Sequence, residues 1–88
     1  MLFRSVAEAL GWVHFRMGKL DQALVELLEA RRLGPTTAEL LEHLGDVFRA
    51  LGRRAEAADA YKEALSLHPD EGVNRRALEK LRSLAAEG

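Results

Sequence analysis

Ten residues recur at a fixed offset of 34: Glu8, Leu10, Gly11, Val13, Gly18, Ala23, Glu29, Ala30, Leu33 and Pro35 return as Glu42, Leu44, Gly45, Val47, Gly52, Ala57, Glu63, Ala64, Leu67 and Pro69. A repeat of this length constrains the fold more than any single motif. Each unit is one supersecondary element that buries its apolar face only against a neighbour, so the expected product is a stack. A stack offers an extended open surface rather than a closed pocket, which points to binding.

Apolar spacing is helical throughout. Val6, Leu10, Val13 and Met17, then Leu24, Leu27 and Leu28, then Leu40, Leu41, Leu44, Val47, Phe48 and Leu51 follow three-and-four steps, and no stretch alternates with period two. Breaks fall at Gly18, Gly34-Pro35, Gly52 and His68-Pro69, where glycine can take a left-handed C-terminal conformation and proline cannot continue a helix. Five helices are predicted, over about 4–17, 20–33, 37–51, 54–67 and 71–86. Thr36 and Glu39 have the spacing of a capping box, and Asp70 is the expected N-cap of the last helix. The turns at Gly18-Lys19 and Gly52-Arg53 are too short for crossovers, so helices one and two, and three and four, should pack as antiparallel hairpins.

Size and charge narrow the function. At 88 residues the chain makes one domain, burying a little over roughly 60 % of its unfolded surface. The expected stability is on the order of 4 to 13 kcal/mol, which leaves little reserve for a strained or deeply polar active site. Net charge is −1 with 31 % charged residues, so nothing draws the whole chain toward nucleic acid or anionic lipid. Arg53-Arg54 and Arg75-Arg76 are short doublets without aromatic interleaving, and no nucleic-acid partner is expected. No apolar run approaches the roughly 18 residues of a membrane helix, so no membrane contact is expected. Met1-Leu2-Phe3 lead straight into an amphipathic pattern with Arg4, Glu8 and Arg16, unlike a secretory leader, which makes the chain cytoplasmic if it is whole. The absence of isoleucine, with Ala, Leu, Arg and Glu favoured, fits a GC-rich bacterial genome.

Catalytic chemistry finds no support. The lack of cysteine excludes disulfides, thiolate catalysis and Cys-ligated metal. His14, His43 and His68 lie on different elements and form no pair with metal-ligand spacing. His14 is expected to pack between helices in place of an aromatic residue. His43 is expected near Glu39 and Glu42, whose carboxylates would favour its protonated form. Glu26/Glu29 and Glu39/Glu42 have ordinary helix-surface spacing and, without a pocket, make no acid/base dyad. With no phosphate loop and no nucleophile elbow either, catalytic, cofactor-binding and metal-binding residues are all expected to be absent, and the chain is not expected to be an enzyme.

The second unit reads Leu41-x2-Leu44-Gly45-x2-Phe48, then Gly52, Ala57-x3-Tyr61, Ala64-Leu65 and Pro69. This resembles the tetratricopeptide repeat pattern nearly position for position. Gly45 and Ala57 let two helices approach, Phe48 and Tyr61 fill the space beside them, and Pro69 stops the second helix. The first unit departs at Ala7, where a large apolar residue is usual, and at His14, where an aromatic is usual; Leu10-Gly11, Gly18, Ala23, Leu27, Ala30 and Pro35 fit. The final helix carries Arg75, Leu78, Glu79 and Arg82 at the packing positions, so it resembles the capping helix of such arrays, with Val73, Ala77, Leu81 and Leu84 turned inward. The resemblance implies an all-α right-handed solenoid. Two antiparallel helix hairpins, over about 4–35 and 36–69, would be followed by a capping helix over about 70–87.

In that family the first helix of each hairpin lines a concave groove. The stripe not needed for packing is Ser5, Glu8, Trp12 and Phe15, then Glu39, Glu42, Asp46 and Arg49, then Arg76, Lys80 and Ser83, with Arg16 and His43 adjoining. The expected groove has an aromatic end at Trp12 and Phe15, an acidic middle and a basic end. It suits an extended or helical peptide with basic and apolar side chains, and Trp12 with Phe15 would be an exposed apolar patch. The lysine-and-asparagine clamp with which some relatives hold a terminal carboxylate is replaced by Glu8, Trp12 and Asp46, which would repel one. The expected role is non-catalytic docking of a protein or peptide partner. The alternative is a self-assembling or structural fragment of a longer repeat array that homo-oligomerises through the N-terminal helix, by Leu2, Phe3, Val6, Val13 and Met17, because two repeats are fewer than the roughly three usually needed for stability.

Overall fold

The computed structural model describes residues 2–87, with side chains from Arg4 onward, so the expectation placed on the side chains of Leu2 and Phe3 lies outside the described residues. Five helices follow in order: α1 (Leu2–Arg16), α2 (Leu20–Leu33), α3 (Ala38–Ala50), α4 (Arg54–Ser66) and α5 (Glu71–Glu87). The described residues contain no strand.

The two hairpin turns are copies of each other, as the repeat requires. Gly18 and Gly52 adopt φ of 79° and 77°, a conformation in which a side chain is strained and glycine is not. In each turn the glycine N–H bonds back to its helix, to Phe15 O and Arg49 O at 3.0 Å, and the following N–H reaches His14 O and Phe48 O at 2.8 Å. This double closure satisfies carbonyls that the helix end leaves unpaired.

The other two breaks differ from expectation. Gly34 is extended (φ −164°), not left-handed. What this glycine supplies is space: a Cβ there would overlap the side chain of Arg4, which passes across to donate from Nη2 to Pro35 O at 2.7 Å. One repeat later the left-handed conformation falls on His68 (φ 52°). Nor is the N-cap of α3 the expected Thr36 with Glu39. Thr37 caps, because its backbone is extended immediately before Ala38 and its Oγ1 accepts from Leu40 N at 3.1 Å. Asp70 does cap α5, accepting from Val73 N at 2.9 Å.

Close approach within each hairpin rests on one glycine and one large side chain at matched register. A Cβ on Gly11 would stand 2.7 Å from Leu27 Cγ, and one on Gly45 would stand 2.7 Å from Tyr61 Cδ1. Between hairpins, Leu40, Leu41, Leu44 and Val47 of α3 join Ala23, Leu27 and Ala30 of α2 in a fully buried core. Arg31 adds an ion pair to Glu63 at 3.0 Å. Helix α5 then packs on α4 as a third hairpin's first helix would. It buries Val73, Ala77 and Leu84, half-buries Leu81 and leaves Arg75, Glu79 and Arg82 in water. Arg54 ties down its far end by donating to Leu84 O at 2.7 Å. The stack measures 36 × 27 × 18 Å.

Candidate functional site

Helices α1, α3 and α5 hold the same place in successive units, so residues one repeat apart come side by side on one face. Three contacts at an offset of 34 show this: Arg76 Nε to Glu42 Oε2 at 2.9 Å, Lys80 Nζ to Asp46 Oδ2 at 3.0 Å, and Arg49 Nη2 to Ser83 Oγ at 2.8 Å. Lys80 also reaches Glu42 at 2.8 Å, and Arg49 pairs with Glu87. Glu8 lies beside Arg4 at 3.7 Å.

These pairs change the expected charge layout. The acidic middle and the basic end are not separate, because the cations of α5 fold over the acids of α3. Glu42 is only 3 % exposed. Burial works to raise its pKa, and the hydrogen bonds from Arg76 and Lys80 overcome that, holding the carboxyl below the usual range. Asp46 is fixed from below as well, since the buried Tyr61 hydroxyl donates to it at 2.6 Å. Burial and this bond push the phenol well above its ordinary value. Glu39 and Arg16 are exposed, and Arg76, although bonded to Glu42, keeps half of its side chain in water.

The aromatic end is also more closely built than expected. Trp12 stacks on His43 with ring centroids 4.2 Å apart and on Phe15 at 5.2 Å. All three are half-buried, so Trp12 and Phe15 form a supported platform and not a free apolar patch. His43 differs from expectation too. Burial under the indole lowers its pKa, outweighing the opposing carboxylates of Asp46, Glu42 and Glu8, while Lys80 adds to the lowering. The ring is therefore held neutral, and its Nδ1 is buried without a hydrogen-bond partner among the described residues. His14 does lie between α1 and α2, but as a polar link, donating from Nδ1 to Glu26 at 2.5 Å.

A pH effect follows with a definite sign. The unfolded chain protonates His43 near its ordinary value of 6.5 and the folded chain only below it, so stability is full above about pH 7.5 and falls as pH drops through the His43 range. The slope per group is at most about 1.4 kcal/mol per pH unit. Glu42 adds a second loss, below its ordinary 4.5, as its carboxyl is protonated out of the ion pairs. Urea melts between about pH 7.5 and 5 should show the first decline, and His43→Phe should flatten it.

Glu42, His43, Asp46, Trp12, Arg76 and Lys80 line one open depression, and Phe15, Asp46, Arg49, Lys80 and Glu87 line the next along the same face. Among the described residues no group of His, Cys, Asp or Glu could hold a metal ion, and no helix is long and apolar enough to cross a membrane. A family model for the tetratricopeptide repeat matches residues 8–72. The chain belongs to the tetratricopeptide repeat family. Tetratricopeptide repeats generally mediate protein–protein interaction, and their fold is in general a non-catalytic scaffold.

Sequence reasoning placed the stripe but missed how it closes. Glu42 with Arg76, and Asp46 with Lys80, are opposite charges at one register a single repeat apart, which is the signal that would have paired them. Tyr61 and Glu87 were missed as participants. Tyr61 was read as packing alone, and Glu87 lies beyond the matched repeat.

Proposed function

We propose that this tetratricopeptide chain is a docking module whose concave face, formed by α1, α3 and α5, receives a segment of a partner protein. Trp12 and Phe15 serve as the apolar anchors, with Glu8, Arg16, Glu39, His43 and Arg49 along the rim. The reading rests on one observation: a half-buried indole stacked between helices, on a face whose central carboxylates, Glu42 and Asp46, are already paired. Because Arg76 and Lys80 occupy Glu42 and Asp46, a partner gains little from presenting cations to the middle of the groove. An aromatic or aliphatic side chain laid on the platform, with polar groups meeting the exposed parts of Arg76 and Glu39, fits better than the basic side chains that unpaired acids would call for.

Random twelve-residue peptides selected on the immobilised chain provide the test. Selected binders should be rich in aromatic and aliphatic residues and should alter the emission of Trp12, the only tryptophan. Trp12→Ala should weaken them by about thirty-fold, the roughly 2 kcal/mol of an interface hot spot, without lowering helicity. Binders indifferent to that substitution would remove the aromatic platform from the site.

A further inference from the structure

Beyond the groove, the α1 end of the stack carries a second surface. Val6, Leu10 and Val13 of α1, Met17 directly after it and Val25 of α2 are each 44–67 % exposed. Their register shows that this is a packing face. Val6, Leu10 and Val13 stand one repeat before Leu40, Leu44 and Val47, which α3 buries completely or nearly so in the core shared with α2. Val25 stands one repeat before Asp59, which lines the cleft between hairpins with Arg31, Leu44 and Ala60. Five apolar side chains about half exposed make a patch on the order of 500 Å², in the upper part of the roughly 300–600 Å² of the largest patch on a soluble monomer, where such patches are often functional.

We propose that this face pairs with the same face of a second copy of the chain, closing a two-fold dimer. Head-to-tail stacking is blocked at the other end, where α5 turns Arg75, Glu79 and Arg82 outward. Between copies of this chain that leaves like-to-like contact, and it closes after two copies. The α1 stripe at 6, 10, 13 and 17 has the four-three-four spacing of a helix–helix seam. An axis crossing between Leu10 and Val13 sets Leu10 against Val13 of the second copy and Val6 against its Met17. Of the α2 carboxylates beside the patch, Glu26 and Glu29 are held by His14 and Arg32, while Asp21, which lines a depression with Val25, is exposed. Two patches bury roughly 1,000 Å², at the lower limit for a specific interface, which sets a dimer that dissociates on dilution.

Sedimentation equilibrium of the 88-residue chain should show the average mass rising from 9.8 kDa toward twice that value across the micromolar range. Val13→Glu should weaken association at least ten-fold with unchanged far-UV circular dichroism, since that side chain packs on nothing essential within one copy, while Glu79→Arg at the opposite end should leave it intact. In this cysteine-free chain, an equimolar mixture of Leu10→Cys and Val13→Cys should oxidise quickly to a mixed linked dimer, since the register sets these two positions against each other, and Arg75→Cys should not. A mass of 9.8 kDa at every concentration, growth beyond two copies, or a dimer indifferent to Val13→Glu would each overturn the proposal. The groove reading stands apart, because its peptide selection does not depend on oligomeric state.

Discussion

Tyr61→Ala is expected to bring the chain close to unfolding. Tyr61 is the largest side chain buried completely, and it fills the space that Gly45 leaves between α3 and α4. Replacing a buried aromatic by alanine costs about 3–5 kcal/mol through lost transfer energy and the cavity left behind. That is a large share of the roughly 4 to 13 kcal/mol available to a domain of this size. The same substitution removes the donor beneath Asp46, although Lys80 still pairs with that carboxylate. Thermal melts should move down by at least roughly 12 °C. Tyr61→Phe keeps the ring and loses only the hydroxyl, so it should cost about 0.5–1.5 kcal/mol. A small loss on Tyr61→Ala would mean that α3 and α4 collapse onto the vacated space, which their backbone contact does not favour.

Gly45→Ala should be destabilising although it swaps a poor helix former for the best one. Propensity alone favours the change by about 1 kcal/mol in a helix interior. Against it, the new methyl would stand 2.7 Å from Tyr61 Cδ1 and 2.8 Å from its Cζ. A rigid ring buried on every side cannot turn away as the end of a flexible chain would, and overpacking of this kind costs typically about 1–3 kcal/mol. The net expectation is a loss of about 1 kcal/mol, the middle of a range of about 0–2, in urea melts. A gain would show that α3 and α4 slide apart at little cost.

Much of the fold was legible because the repeat supplies its own check. Leu44 and Val47 had to pack, since their spacing and their recurrence agreed, and Gly18 and Gly52 had to turn, since both copies kept glycine there. The misreadings fall where the two copies differ or where a long side chain decides. Gly34 looked like a left-handed terminus because glycine permits one, yet its smallness serves the passage of Arg4, an interaction 30 residues away in the chain. Thr36 and Thr37 are adjacent hydroxyls of equal capping ability, and only the position of the first helical turn selects between them. In the candidate site the stripe followed from helical spacing. Its electrostatics did not, because whether Arg76 and Lys80 fold over Glu42 and Asp46 depends on α5 docking in register, a tertiary fact. The depressed His43 follows the same rule: counting nearby carboxylates gave the wrong direction, since burial under Trp12 outweighs them.

The role assigned to the concave face turns most directly on peptide binding by Trp12→Ala beside the unaltered chain, with helicity and melting measured on both. The prediction is a loss of about thirty-fold in affinity with a helical signal unchanged, because Trp12 covers His43 from the groove side and is not part of the α2–α3 core. Equal affinity for the selected peptides in both proteins would contradict it and place the docking surface elsewhere on the stack.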